Sequence, residues 1–267
     1  MKRRKLLALA GTGLITSAMP KAVRAATIAS QTWDRADAAQ KAEDSLAMQW
    51  LGHTCFLFTG GGVRILVNPF RMLGCTAKYR SPKVAADLVL ISSQLLDEGA
   101  TEDLLGSPRL IYESGVYQFN NIKFQGITTE HDRVGGKQFG NNVAWRWTQA
   151  GINILSLGGT AAPITVEQKI LMQRPDVLLV PVGGGPKAYN AQEAKQTIEV
   201  LNPKLIVPTQ YRTQAANAAA CDLVPVDEFL TLMNGLPVRR SNTDTINLTA
   251  ADLPSTGSAI QILSYKF

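Results

Sequence analysis

Apolar residues recur along this chain at two spacings, and each patterned run ends in residues that make turns. Leu46, Met48 and Trp50 alternate with small or polar neighbours, the period of a strand with one buried face. Residues 55–59 and 63–67 follow around Gly60-Gly61-Gly62, and residues 115–119 and 122–125 around Asn120-Asn121. Gly and Asn supply the positive φ angles of tight hairpin turns, so two hairpins are expected. Val143, Trp145 and Trp147 alternate with Ala144, Arg146 and Thr148, a strand whose aromatic face is best explained by core packing. Residues 88–91 and 176–180 read as strands covered on both faces, and 152–156, 205–207, 246–248 and 260–263 as further strands.

Helices announce themselves by caps. Thr165 stands three residues before Gln168 and Asn190 three before Glu193, the reciprocal pattern of a capping box. The first of these helices is closed by Pro175. The second puts Ala191, Ala194, Ile198 and Leu201 on one face and stops at Asn202-Pro203. A last helix carries Val226, Phe229, Leu230 and Met233 and ends at Gly235, and a short one is expected at 100–105. Strands interleaved with helices make the chain α/β.

Composition changes the picture mainly at the start. Lys2-Arg3-Arg4-Lys5, an apolar run from Leu6 to about Ala18 and small residues near Ala25 describe a secretory leader over residues 1–25. The Arg3-Arg4 pair suggests twin-arginine export of a folded protein, to a periplasm or a thylakoid lumen. Residues 26–44, rich in Ala, Gln, Asp and Lys, read as a flexible segment, and 45–267 as one domain with no stable transmembrane anchor. The net charge of +6 resides in the leader: beyond it the chain holds 21 basic and 21 acidic residues. A nucleic-acid partner is therefore not expected, which leaves a small molecule or a protein. Three cysteines allow one internal disulfide in any of three pairings, with Cys55, inside the run Cys55-Phe56-Leu57-Phe58, read as a buried thiol.

The loop after residues 88–91 gathers polar chemistry: Ser92, Ser93, Gln94, Asp97 and Glu98, but no histidine. Loops at the carboxyl ends of such strands are where α/β sites are built. Acids ahead of a helix are also favoured by its dipole, which by itself accounts for Asp97 and Glu98. His53 and His131 are the only histidines. A metal-free nucleophilic site would need Ser93 near His131, with Asp97 or Glu98 orienting the imidazole. Tyr211 and Arg212, at the end of the strand at 205–207, offer an anion contact.

Six stretches resemble the metallo-β-lactamase-fold hydrolases, and most of all the branch containing ascorbate-6-phosphate lactonase. They are Trp50-Leu51-Gly52-His53-Thr54, Ile65-Leu66-Val67-Asn68-Pro69, Ala86-Asp87-Leu88-Val89-Leu90-Ile91-Ser92, His131-Asp132-Arg133, Ile154-Leu155-Ser156-Leu157-Gly158-Gly159 and Asn202-Pro203-Lys204-Leu205-Ile206-Val207-Pro208-Thr209-Gln210-Tyr211. The resemblance runs from about residue 47 to 213. It implies a four-layer αββα sandwich with a one- or two-metal centre, usually zinc, between its sheets. Carried over, the family's ligand loop falls on Ser93, Leu95, Asp97 and Glu98, its later histidine on His131, its bridging aspartate on Gly159 and its final histidine on Gln210. Asn68 stands where an aspartate is usual. Zinc in a catalytic site takes at least three protein donors, so the implied set is degenerate. No cofactor is expected; Asp97, Glu98 and His131 are the weak candidates for zinc or another divalent metal. The resulting expectation is a non-catalytic binding or assembly protein, with His53, Ser93, Glu98, Asp132, Gln210, Tyr211 and Arg212 as candidate pocket residues. The alternative is a divergent hydrolase of a lactone or phosphoester with a mononuclear or metal-free site, in which His131, Asp97 and Ser93 do the chemistry.

Overall fold

The alternation at Leu46, Met48 and Trp50 becomes β1 (Leu46–Gly52), whose even positions are buried while Ala47 and Gln49 are half-buried. The computed structural model describes residues 44–267. The leader expected at 1–25 and all of the segment expected at 26–44 but its last residue lie outside the described residues. What is described falls in one compact unit.

The remaining strands follow in chain order. They are β2 (Cys55–Gly60), β3 (Val63–Val67), β4 (Leu88–Leu90), β5 (Arg109–Ile111), β6 (Gly115–Phe119), β7 (Ile122–Glu130), β8 (Asn141–Gln149) and β9 (Ile152–Ser156). The later ones are β10 (Val177–Pro181), β11 (Leu205–Thr209), β12 (Val238–Arg240), β13 (Thr245–Leu248) and β14 (Ala259–Ile262). Both hairpins form: Gly61 and Gly62 at φ 56° and 73°, and Asn120 and Asn121 at 44° and 63°, turn the chain in two residues each.

Two sheets result. One has the order β13-β1-β2-β3-β4-β5 and the other β12-β14-β11-β10-β9-β8-β7-β6. β3, β4 and β5 run parallel, as do β9, β10, β11, β14 and β12. The sheets pack through a core that takes Phe56, Phe58, Ile65 and Leu88 from the first and Phe124, Trp145, Trp147 and Val207 from the second. The aromatic face of β8 is thus core, and Trp145 also donates its Nε1–H to the Ile91 carbonyl at 3.0 Å, tying the sheets together where β4 ends.

Helices α1 (Val166–Met172), α2 (Ala191–Leu201) and α3 (Asp227–Leu232) bury Met172, Ile198 and Phe229 in a second core on the outer face of the larger sheet. The α/β two-sheet sandwich expected from the sequence is the architecture found. Both capping boxes are in place: Thr165 and Asn190 each accept the N–H of the residue three positions on.

One expected element is absent. Residues 100–105 are not helical. Ala100 donates its N–H to Pro69, and Leu105 bridges Ala85 in parallel pairing, which holds both ends of the segment extended. So short a helix is marginal without tertiary support, and here pairing takes the backbone instead.

Candidate functional site

The polar residues of interest converge where strands end. Asp97 and Glu98 come from the loop after β4, His131 from the end of β7, Gly159 from the loop after β9, Lys187 from the loop after β10 and Gln210 from the end of β11. His53 turns the chain between β1 and β2 at φ 53°. The loop after β4 is fixed at its start, because Ser92 N–H donates to Asn68 Oδ1 at 2.8 Å and Asn68 is fully buried. With no helix following them, Asp97 and Glu98 owe nothing to a helix dipole; side-chain partners hold both.

Glu98 and His131 form a sealed pair. Both side chains are 0% exposed, with Nε2 of His131 3.2 Å from Glu98 Oε2. Ser93, also buried, donates its hydroxyl to Glu98 Oε2 at 3.1 Å and lies 3.2 Å from the same His131 Nε2. Burial pushes the imidazole toward neutrality, but the Glu98 carboxylate outweighs it and raises the His131 pKa. The three groups the sequence proposed for nucleophilic catalysis do meet. Their geometry differs from a catalytic triad, in which acid and nucleophile use opposite ring nitrogens. Here both crowd Nε2, while Nδ1 has no hydrogen-bond partner.

Gly159 borders that pair. A Cβ on residue 159 would stand 2.4 Å from His131 Cε1 and 2.9 Å from Glu98 Oε1. The volume a side chain at 159 would enter is therefore filled by the Glu98 carboxylate and the imidazole. Among the described residues no group of three or more His, Cys, Asp and Glu is arranged to hold a metal ion. His131 spends Nε2 on Glu98, Leu95 has no donor atom, and the residues present do not fit a metal centre at this position.

Asp97 points the other way, into an open cleft of about 640 Å³. Lys187 Nζ pairs with its Oδ2, and His53 Nε2 lies 3.8 Å from that oxygen. Burial works against the charge on Asp97, yet His53 and Lys187 together hold its pKa well below the usual carboxylate range. Gln210, 1% exposed, completes the floor, and neither His53 Nε2 nor Gln210 Oε1 has a hydrogen-bond partner. The Cys75–Cys221 disulfide lies in the cleft wall, and Cys55 is a buried free thiol.

The other candidates serve the scaffold. Asp132 accepts four backbone N–H groups, from Val134, Gly136, Gln138 and Phe139. Against the upward push of burial these hold its carboxyl down at about 2. Tyr211 stands outside the cleft lining, its ring 5.8 Å from that of Trp50, with burial raising its hydroxyl pKa. Arg212 is exposed and also absent from the lining, and its backbone N–H donates to the Val224 carbonyl. Lys187 is the residue sequence reasoning missed. Its signal was a lysine following Gly183-Gly184-Gly185-Pro186 at the carboxyl end of a covered strand.

The described geometry has relatives. A family model described as a beta-lactamase superfamily domain matches residues 47–210. A protein of Carboxydothermus hydrogenoformans named UPF0173 metal-dependent hydrolase is 27% identical over 204 residues, 65% of this chain and 88% of its own length. The crystal structure of a Thermotoga maritima protein assigned to the metallo-beta-lactamase superfamily aligns with TM-score 0.66 and 28% identity, covering 82% of this chain and 100% of that one. An isothiocyanate hydrolase from Delia radicum gut bacteria, at 14% identity and TM-score 0.57 over 76% of this chain and all of its own, shares the fold alone.

Proposed function

The chain belongs to the metallo-β-lactamase superfamily, and from that premise we propose that it is a non-catalytic member whose inherited metal centre has become a buried ion pair and whose cleft binds a small molecule. The observation that carries this reading is the filling of the space beside Gly159 by Glu98 and His131. A carboxylate that bridges two metals in the family would need that space, and Glu98 supplies its charge to an imidazole instead. Lys187 does the same for Asp97: an ammonium of the chain neutralises an acid that would otherwise attract a cation. The resemblance to the ascorbate-6-phosphate lactonase branch belongs to this reading as its proposed ancestry. We further propose that the protein is exported already folded. The Cys75–Cys221 disulfide supports an oxidising destination.

The test is metal content of the full chain, purified without chelator and offered Zn²⁺, Mn²⁺ and Mg²⁺ in turn, with lactones and phosphoesters screened on the same samples. Metal far below one ion per chain and no turnover are expected. One ion per chain, lost in His131→Ala, would sink the proposal and favour the second reading, a divergent hydrolase. That second reading draws on the name metal-dependent hydrolase carried by the Carboxydothermus relative.

A further inference from the structure

The lysine and the arginine that line the cleft are both paired. Lys187 Nζ meets Asp97 Oδ2, and Arg71 meets Glu102, which is not in the lining. The Thr76 hydroxyl is satisfied too, donating to the Arg71 carbonyl at 2.5 Å and accepting the Leu73 N–H at 3.0 Å. Asp222 differs. Its carboxylate lines the wall next to the Cys75–Cys221 disulfide and has no hydrogen-bond or ion-pair partner among the described residues. It lies against Gly185, where a Cβ would stand 3.2 Å from its Cγ and Oδ2.

The floor leaves an acceptor open as well. Gln210 is 1% exposed, and its Oε1 has no partner. A buried acceptor is costly to leave unpaired. Gln210 and His53 both hold positive φ, 49° and 53°, and the Gln210 N–H donates to the His53 carbonyl at 3.4 Å. Non-glycine residues kept in that region gather at ligand clamps. The open oxygens of the cleft are therefore an amide oxygen at the floor and a carboxylate at the wall, and both accept. A ligand that completes them donates hydrogen bonds and carries positive charge. With no group of three or more His, Cys, Asp and Glu able to hold a metal among the described residues, that cation is organic. The two ends differ in charge. Beside Gln210 the Lys187 ammonium disfavours a second cation, so the donor there is uncharged; at the wall Asp222 calls for an ammonium.

We propose that the cleft binds a small amino alcohol, its ammonium paired with Asp222 and its hydroxyl donating to Gln210 Oε1. The inference rests on the reading that this cleft binds a small molecule without turning it over. A cleft of about 640 Å³ suits a ligand of that class.

The experiment is titration calorimetry on the full chain with the series from 3-aminopropan-1-ol to 6-aminohexan-1-ol. Each is compared with its diol, its hydroxy acid and the alkylamine lacking the hydroxyl. The best amino alcohol should bind roughly tenfold tighter than its diol and than its alkylamine, and the hydroxy acid should not register. Asp222→Asn, at an exposed position, should cost the amino alcohol roughly tenfold and leave the diol unchanged, while Asp222→Glu retains binding. Gln210→Leu should erase the difference between amino alcohol and alkylamine; should that variant fail to fold, the same comparison in the unaltered chain decides. An amino alcohol no tighter than its diol or its alkylamine, an unaltered affinity in Asp222→Asn, or no binding of any probe overturns the proposal. Turnover of lactones and phosphoesters is assayed on the same samples. Metal-dependent turnover would refute the non-catalytic reading whatever the ligand preference, and loss of that preference would refute this inference whatever the turnover.

Discussion

At Gly159 the missing side chain is as informative as those present. Two atoms that repel other groups' access, His131 Cε1 and Glu98 Oε1, stand within 3 Å of where a Cβ would lie. Gly159→Ala should therefore cost about 1–3 kcal/mol through overpacking, measured by urea denaturation, and the cost should shrink in a Glu98→Ala background. Removing one partner of the sealed pair leaves a buried charge alone: His131→Ala should lose about 3–5 kcal/mol, by the same measurement. The pair also sets a pH dependence. Its folded imidazole binds a proton more tightly than a free one, so its contribution is complete below about pH 6.5. It is lost as pH rises through the folded His131 value. Denaturation midpoints should fall across that alkaline limb, and Glu98→Gln should flatten the fall. Asp132 acts at the other end: its depressed carboxyl stabilises above the free value and ceases to do so as pH drops toward about 2.

The elements obey local rules where local rules are strong. Asn190 caps α2, whose Ala191, Ala194, Ile198 and Leu201 are buried against the sheet. Asn190→Ala should cost about 1 kcal/mol, read as a lowered denaturation midpoint without change in slope. Caps, two-residue turns and alternation made the hairpins, α1, α2 and most strands legible in the sequence. β5 and β12 were not. They are three residues long, β12 with Val238, Arg239 and Arg240 all exposed and β5 with only Ile111 buried, so no periodicity marks them. The segment at 100–105 failed in the opposite sense, since its composition allowed a helix and pairing with Ala85 forbade it. The site divides the same way. Asp97, Glu98, His131 and Gln210 could be picked out through the resemblance. That Asp97 and Glu98, neighbours in the chain, serve different histidines could not, because their partners arrive from the turn after β1 and from the end of β7 by tertiary packing. Lys187 was hidden for that reason too.

Across the whole molecule, one covalent link governs the cleft. Cys75 and Cys221 are 146 residues apart and close its wall. Cys75→Ser should lower stability by about 2–4 kcal/mol, measured by denaturation with and without reductant, and the two conditions should converge in the variant. The bond also makes a ring. Ser93, Asp97, Glu98, His131, Gly159, Lys187 and Gln210 all fall between the two cysteines, and of the floor only His53 lies outside. A protease that cuts anywhere in that ring opens the backbone without releasing a fragment. The nicked chain migrates as one piece until a reductant separates it, so a single clip in the exposed loop around Leu96 would go unseen on a non-reducing gel.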